Sequence, residues 1–217
     1  MNSEKTVLFD LDGTLLNTLG DLTASTNAAM EKMGFATHTL DDVRRFVGNG
    51  IGLLIARSIP GGKENPKYEE TLQVFREHYG AHCLDTTQPY PGVMEMLHQL
   101  QANGVKMGIL SNKADFAVKS LCQRFFGPLV PVAVGERPGV RRKPAPDAVL
   151  ACMEELKSDA AHTVYVGDSD VDIETARNAG LRCLSCTWGF RDRAFLLEHG
   201  ATTLVDTPKA LLEEILK

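Results

Sequence analysis

No apolar run in this chain approaches the roughly 20 residues that a membrane span requires. The first run, Val7-Leu8-Phe9, is interrupted by Asp10. The N-terminus lacks the charged, apolar and small-residue order of a secretory signal, so a cytoplasmic location and no membrane partner are expected. An excess of basic charge is also missing: 23 Lys and Arg face 28 Asp and Glu, for a net charge of −5. This excludes a general nucleic-acid binder, which carries a basic footprint. The five cysteines are odd in number and follow no disulfide framework. Cys183-Leu-Ser-Cys186 lies in a strand-like run, where residues three apart point to opposite faces. With no second CxxC and no nearby His, the pair reads as buried free thiols and not as a zinc site. There is no internal repeat and no low-complexity tract. The single Trp188 is expected to pack rather than to stack on a ligand.

The 217 residues, 43% hydrophobic and 24% charged, suit a soluble globular chain of one ordinary domain plus a smaller one. Their texture changes along the chain. A buried strand is expected over 5–10. Residues 16 to about 85 then show only helical periodicity: Thr18–Met33 closed by Gly34, a helix capped by Thr39 or Asp41 and running to Phe46, Ile51–Ile59, and a helix capped by Asn65 and running to about Cys83. From Tyr90 onward, helices alternate with short apolar strands at 105–110, 129–134, 163–166, 181–187 and 203–205. The Pro-interrupted second of these is placed near an edge. This alternation predicts an α/β fold with a parallel sheet covered on both faces. The helical block is an insertion after the first strand. The expected boundaries are a core over 1–15 and 87–217 and an inserted helical bundle over 16–86.

Polar groups follow the predicted strands: Asp10 and Asp12, Ser111 and Asn112, Lys143, and Asp168 with Asp172. In parallel α/β sheets, ligand sites lie at these carboxyl ends. Three carboxylates at neighbouring strand ends repel one another unless a cation neutralises them, and an all-oxygen set suits Mg²⁺. Lys143 adds a compact positive charge. Ser111 and the Gly13 and Thr14 amides add donors. A metal, a lysine and donors around a carboxylate nucleophile fit phosphoryl transfer.

The segments DLDGTLLNT, ILSNK, RKPAPD and VGDSDVDIETARNAG resemble, in order and spacing, the four motifs of the haloacid dehalogenase superfamily. The helical insertion resembles the cap of its phosphoglycolate-phosphatase-like branch. The resemblance implies a Rossmann-like core and a Mg²⁺-dependent phosphatase acting on a small phosphorylated metabolite. It implies that Asp10 is the nucleophile and Asp12 the acid and base. Ser111 and Lys143 would hold the phosphoryl group, with Asn112, Gly13 and Thr14 beside them. Asp10, the Asp12 carbonyl and Asp168 would ligate Mg²⁺, with Asp172 acting through a water or one layer out. Asp12 separates this branch from the dehalogenases, which lack the second acid. Asn17-Thr18 departs from the branch's usual Asp-Ser or Asp-Thr. Phosphoglycolate is the leading substrate. β-Phosphoglucomutase, pyrophosphatase and phosphonoacetaldehyde hydrolase, the last with Lys32 as its Schiff-base candidate, are the alternatives on this scaffold. A non-catalytic binding protein is the alternative of another class.

The other signals are weaker. Gly48-Asn-Gly50-Ile-Gly52 lacks the strand and register of a dinucleotide loop. It resembles the branch's substrate-facing cap loop, which makes Asn49 and the preceding Arg45 candidate substrate contacts, with Arg44 beside them. Asp168-Ser-Asp170-Val-Asp172 lacks the Gly and Glu of a calcium loop, and Asp170 is expected to cap a helix or face solvent. His78 and His82 have metal spacing but no third ligand.

Overall fold

The computed structural model describes residues 5–217. The chain divides into two units, one running to Leu16 and resuming over Pro89–Lys217, the other spanning Asn17–Gln88. These boundaries fall one and two residues later than the sequence pattern suggests. The strands β2 (Leu16–Asn17) and β3 (Gln88–Pro89), which pair with each other, mark the two crossings; two residues are too few for an alternation to show.

The inserted unit holds α1 (Leu19–Met33), α2 (Leu40–Phe46), α3 (Ile51–Ser58) and α4 (Tyr68–His82). Thr39 and Asp42 cap α2 reciprocally, each side chain accepting from the other's backbone N–H. Asn65 does not cap α4 as expected. It closes a turn instead, accepting from Lys67 N–H while a single 3₁₀ turn fills 62–64. Met30, Val43, Ile55, Leu72 and Phe75 form the unit's buried stripe. One buried charge, Asp21 on α1, sits among them. Its carboxylate accepts four hydrogen bonds, at 2.5–3.0 Å, from the N–H and hydroxyl groups of Thr86 and Thr87. These bonds tie the first helix of the insertion to its last residues. Burial pushes the Asp21 carboxyl up, but the four donors outweigh it and hold it below the ordinary carboxylate range.

The other unit is a six-stranded sheet in the order β5-β4-β1-β6-β7-β8, parallel throughout. The strands are β1 (Thr6–Phe9), β4 (Lys106–Ala114), β5 (Val132–Glu136), β6 (Thr163–Gly167), β7 (Arg182–Cys186) and β8 (Leu204–Val205). Counted without the β2–β3 pair, this is the doubly wound order of a Rossmann-like sheet. Its direction reverses between β1 and β6, which opens the crevice where such sheets hold ligands. The helices are α5 (Val93–Ala102), α6 (Asp115–Phe125), α7 (Asp147–Glu155), α8 (Asp170–Asn178), α9 (Arg193–Glu198) and α10 (Pro208–Leu216).

β1 is fully buried because both its faces are covered. Val7 and Phe9 pack in the layer of Leu97, Leu121 and Leu211, from α5, α6 and α10. Leu8 packs opposite them with Val149 and Cys152 of α7 and Ala176 of α8. Cys183 and Cys186 point to different layers, as their spacing requires, and all five cysteines are free. Among the described residues no helix is long and apolar enough to cross a membrane.

Replacing Asp21 with Ala leaves the buried Thr87 N–H and hydroxyl, and the more exposed Thr86 N–H and hydroxyl, without their acceptor. A loss of about 3 kcal/mol is expected in denaturant unfolding, the scale of a broken buried charge network.

Candidate active site

Asp10 is the first residue beyond β1, and its N–H continues the sheet pairing to Val166 O at 2.9 Å. The chain then folds back on itself. Leu15 and Leu16 N–H both donate to Leu11 O, Gly13 N–H donates to Leu16 O at 2.9 Å, and Thr14 N–H donates to Leu11 O at 3.3 Å. The Gly13 and Thr14 amides are therefore committed to the turn, which corrects the expectation that they serve as phosphate donors. The amides of Leu11 and Asp12 donate to no protein acceptor among the described residues. Gly13 and Thr14 act on Asp168 instead. Thr14 Oγ1 donates to Asp168 Oδ1 at 3.3 Å. Gly13 has φ +86°, and a Cβ there would lie 2.3 Å from Asp168 Oδ2. Gly189 presses on the same carboxylate from the β7 side, with a Cβ position 2.4 Å from Oδ2. Only glycine permits both approaches.

Lys143, 5% exposed, joins the strand ends. Its ammonium donates to Asp10 Oδ1 at 2.8 Å, Asp172 Oδ1 at 2.8 Å and Tyr165 Oη at 3.1 Å. Three donors meet three acceptors. Burial works against this charge, but Asp10 and Asp172 outweigh it and hold the ammonium well above its ordinary pKa. Asn112 braces the loop from β4: its amide donates to Lys143 O at 3.0 Å. That gives the Asn112 side chain a structural task beside the expected phosphate contact.

Asp10, Asp168 and Asp172 place carboxylate oxygens within 4.8 Å of one another. One ammonium does not balance three buried carboxylates. Burial raises the Asp10 carboxyl to about 7 and pushes Asp168 well above the carboxylate range, with repulsion from the neighbouring carboxylates adding to both. A divalent cation fits this all-oxygen, charge-deficient set. The three acids are not equivalent within it. Asp172 Oδ1 accepts from Lys143 and from Tyr165 at 3.2 Å, and Oδ2 accepts from Ser169 N–H at 3.1 Å and Ser169 Oγ at 2.6 Å. These four bonds fill a carboxylate's acceptor capacity, which takes Asp172 off the list of direct metal ligands. Asp168 accepts one bond on each oxygen, from Thr14 and from Phe190 N–H at 2.7 Å. Asp10 accepts only on Oδ1. Room for a cation is left on Asp10 and Asp168.

Asp12 stands apart from this group. Both its oxygens accept from Lys113 Nζ, at 2.9 and 3.0 Å. Its side chain is 18% exposed, against 11% for Asp10 and 1% for Asp172. Ser111 Oγ accepts Lys113 N–H at 3.2 Å. Lys113 and Tyr165 carry site interactions that sequence reasoning did not single out. β4 continues past Leu110 to Ala114 with a register shift on that stretch, so simple alternation does not place Lys113. Tyr165 looks like any other residue of an apolar strand. Trp188 packs as expected and donates to Thr14 O at 3.0 Å.

Arg45 and Asn49 belong to the inserted unit. Arg45 pairs with Asp42 on an exposed helix face, and Asn49 takes a left-handed φ of +61°. Arg44 pairs with Asp41 at 3.8 Å, and Lys32 is exposed. His78 and His82 stack on each other, and His82 bonds Asp85. Asp170 begins α8 and lies 4.0 Å from Arg191.

Residues 7–186 match the model of the haloacid dehalogenase-like hydrolases, and the chain belongs to that family. Within it, the chain is similar to phosphoglycolate phosphatases. Phosphoglycolate phosphatase 1 of Pseudomonas aeruginosa is 32% identical over 213 residues, spanning 95% of this chain and 78% of that one. The phosphoglycolate phosphatase of Cereibacter sphaeroides is 33% identical over 216 residues, spanning 97% and 98%. A crystal structure of a candidate phosphoglycolate phosphatase from Lactobacillus delbrueckii subsp. bulgaricus superposes with a TM-score of 0.93 at 36% identity, covering 97% of this chain and 98% of that one.

Tyr165→Phe removes one hydroxyl shared by Lys143 and Asp172. A stability loss of about 1–2 kcal/mol in urea unfolding is expected, the scale of a buried hydrogen bond to charged groups.

Proposed function

We propose that this chain is a Mg²⁺-dependent phosphatase that hydrolyses small phosphomonoesters, phosphoglycolate first among them, through an aspartyl-phosphate on Asp10. The observation that carries this reading is the unequal use of the Asp10 carboxylate. Lys143 holds Oδ1, and no protein donor among the described residues takes Oδ2. The second oxygen is thereby aimed and available at the sheet's switch point.

In this reading Asp10 Oδ2 attacks phosphorus as the bond to the ester oxygen breaks, and Asp12 gives that oxygen its proton. Asp12 then takes a proton from a water that attacks the same phosphorus. The bond to Asp10 breaks, and inorganic phosphate leaves. The Ser111 hydroxyl and the Leu11 and Asp12 amides hold the phosphoryl oxygens. Lys143 holds Asp10 in place and balances part of the buried charge. Mg²⁺, held by Asp10, Asp168 and the Asp12 carbonyl with Asp172 outside them, supplies positive charge to the phosphoryl oxygens when bound. A cytoplasmic setting, in which thiols stay reduced, fits the five free cysteines.

The test is phosphate release from a panel of phosphorylated metabolites, with and without Mg²⁺. Asp10→Asn is expected to abolish turnover while keeping the thermal transition. Normal hydrolysis by that variant would remove Asp10 as nucleophile. Asp12→Ala is expected to slow alkyl phosphates about 10²–10⁴-fold, the worth of a general acid, and aryl phosphates much less. Added Mg²⁺ is expected to raise the melting temperature of the unmutated protein, and Asp168→Asn to erase that rise. An unchanged rise would place the metal elsewhere.

A further inference from the structure

Lys113 is the ammonium of this site that the phosphoryl chemistry above leaves without a task. Lys143 is used up by Asp10, Asp172 and Tyr165. Lys113 donates to both oxygens of Asp12. That pair is the outer one, since Asp12 is more exposed than Asp10 or Asp172. The leaving group is what Asp12 must face in order to protonate it. An ester oxygen within hydrogen-bond reach of Asp12 lies within about 6 Å of Lys113 Nζ. A carboxylate one carbon beyond that oxygen is within reach of the ammonium.

We propose that Lys113 reads the leaving group: it selects phosphomonoesters carrying an anionic group one carbon from the ester oxygen. The inference rests on the phosphatase reading and extends it to substrate class. The substrate carboxylate shares the Lys113 ammonium with Asp12, while the carboxyl of Asp12 stays beside the ester oxygen. A neutral leaving group offers Lys113 no counter-ion and lacks this contact. The core strand β4 thus takes part in specificity, through a residue two positions beyond Ser111 whose backbone N–H donates to the Ser111 hydroxyl.

The experiment compares phosphoglycolate with its neutral isostere, phosphoglycolamide, in the unmutated protein, Lys113→Met and Lys113→Arg. Folding is checked by melting temperature. The unmutated protein is expected to prefer the acid about 10- to 100-fold in kcat/KM, the worth of one charge-assisted hydrogen bond. Lys113→Met is expected to bring that ratio to within about threefold of one, and Lys113→Arg to keep most of it. Inhibition by 3-phosphonopropionate against n-propylphosphonate reads the same preference without turnover. Their inhibition constants are expected to converge in Lys113→Met. Equal loss on both substrates with the ratio unchanged would confine Lys113 to holding Asp12 and overturn the inference, leaving the phosphatase reading intact. Equal hydrolysis of acid and amide by the unmutated protein would do the same. Hydrolysis of neither compound, nor of any other phosphomonoester, would overturn the phosphatase reading and the inference together.

Discussion

The site depends on one buried ammonium divided between two carboxylates. Lys143 sits among Asp10, Asp172 and Tyr165 with almost no water. Removing charges from water costs several kcal/mol per ion, and such pairs often stabilise a fold no better than apolar residues would. The arrangement is therefore explained by what it prepares. It fixes one oxygen of Asp10, orients the other, and leaves the cluster short of positive charge. A site built this way has already met the cost of ordering its dipoles before any ligand arrives.

The surrounding devices follow from that constraint. Asp172 has all its acceptor capacity filled by Lys143, Tyr165 and Ser169, so it anchors the lysine without competing for a metal. Asp168 is pinned by Thr14 and Phe190 N–H, and two glycines close in on it where any side chain would collide. Asn112 secures the Lys143 loop from the neighbouring strand. Asp12 is kept out of the charge cluster by its own partner, Lys113. One turn thus presents two carboxylates with different surroundings. Asp10 is buried and shifted upward; Asp12 is more open and paired. Separate environments of this kind are how two like acids take different tasks.

Much of this was legible in the residues. The strand-and-helix alternation after Tyr90 and the continuous apolar run at 7–9 already point to a parallel sheet covered on both faces, and Asp10, Ser111, Lys143 and Asp168 each follow a strand in the sequence pattern. What stayed hidden depends on which group bonds which. The Gly13 and Thr14 amides look like phosphate donors until the turn's own acceptors are known. The bond from the Asn112 side-chain amide to the Lys143 carbonyl has no signature in the sequence. Asn65 carries a capping side chain but spends it two residues too early, on Lys67 N–H. Lys113 escaped because the apolar run ends at Leu110, whereas the strand goes on for four polar or small residues. Hydrophobic periodicity reports burial, and it falls silent where a strand emerges into a site.

The strand order also sets when the site comes into being. Asp10 precedes its lysine by 133 positions in the chain. β1 pairs with β4 across about 100 residues and with β6 across more than 150. A nascent chain halted before Thr163 holds Asp10 at the end of a strand with one open edge, which is an invitation to wrong pairing. The inserted helices offer a different schedule. Their contacts fall within one continuous segment, and the bonds that Thr86 and Thr87 donate to Asp21 close it on itself, so they are able to fold while the sheet still waits for its last strands. Maturation of this molecule is thus a matter of the late β6–β7 segment arriving to complete a centre begun at the end of β1.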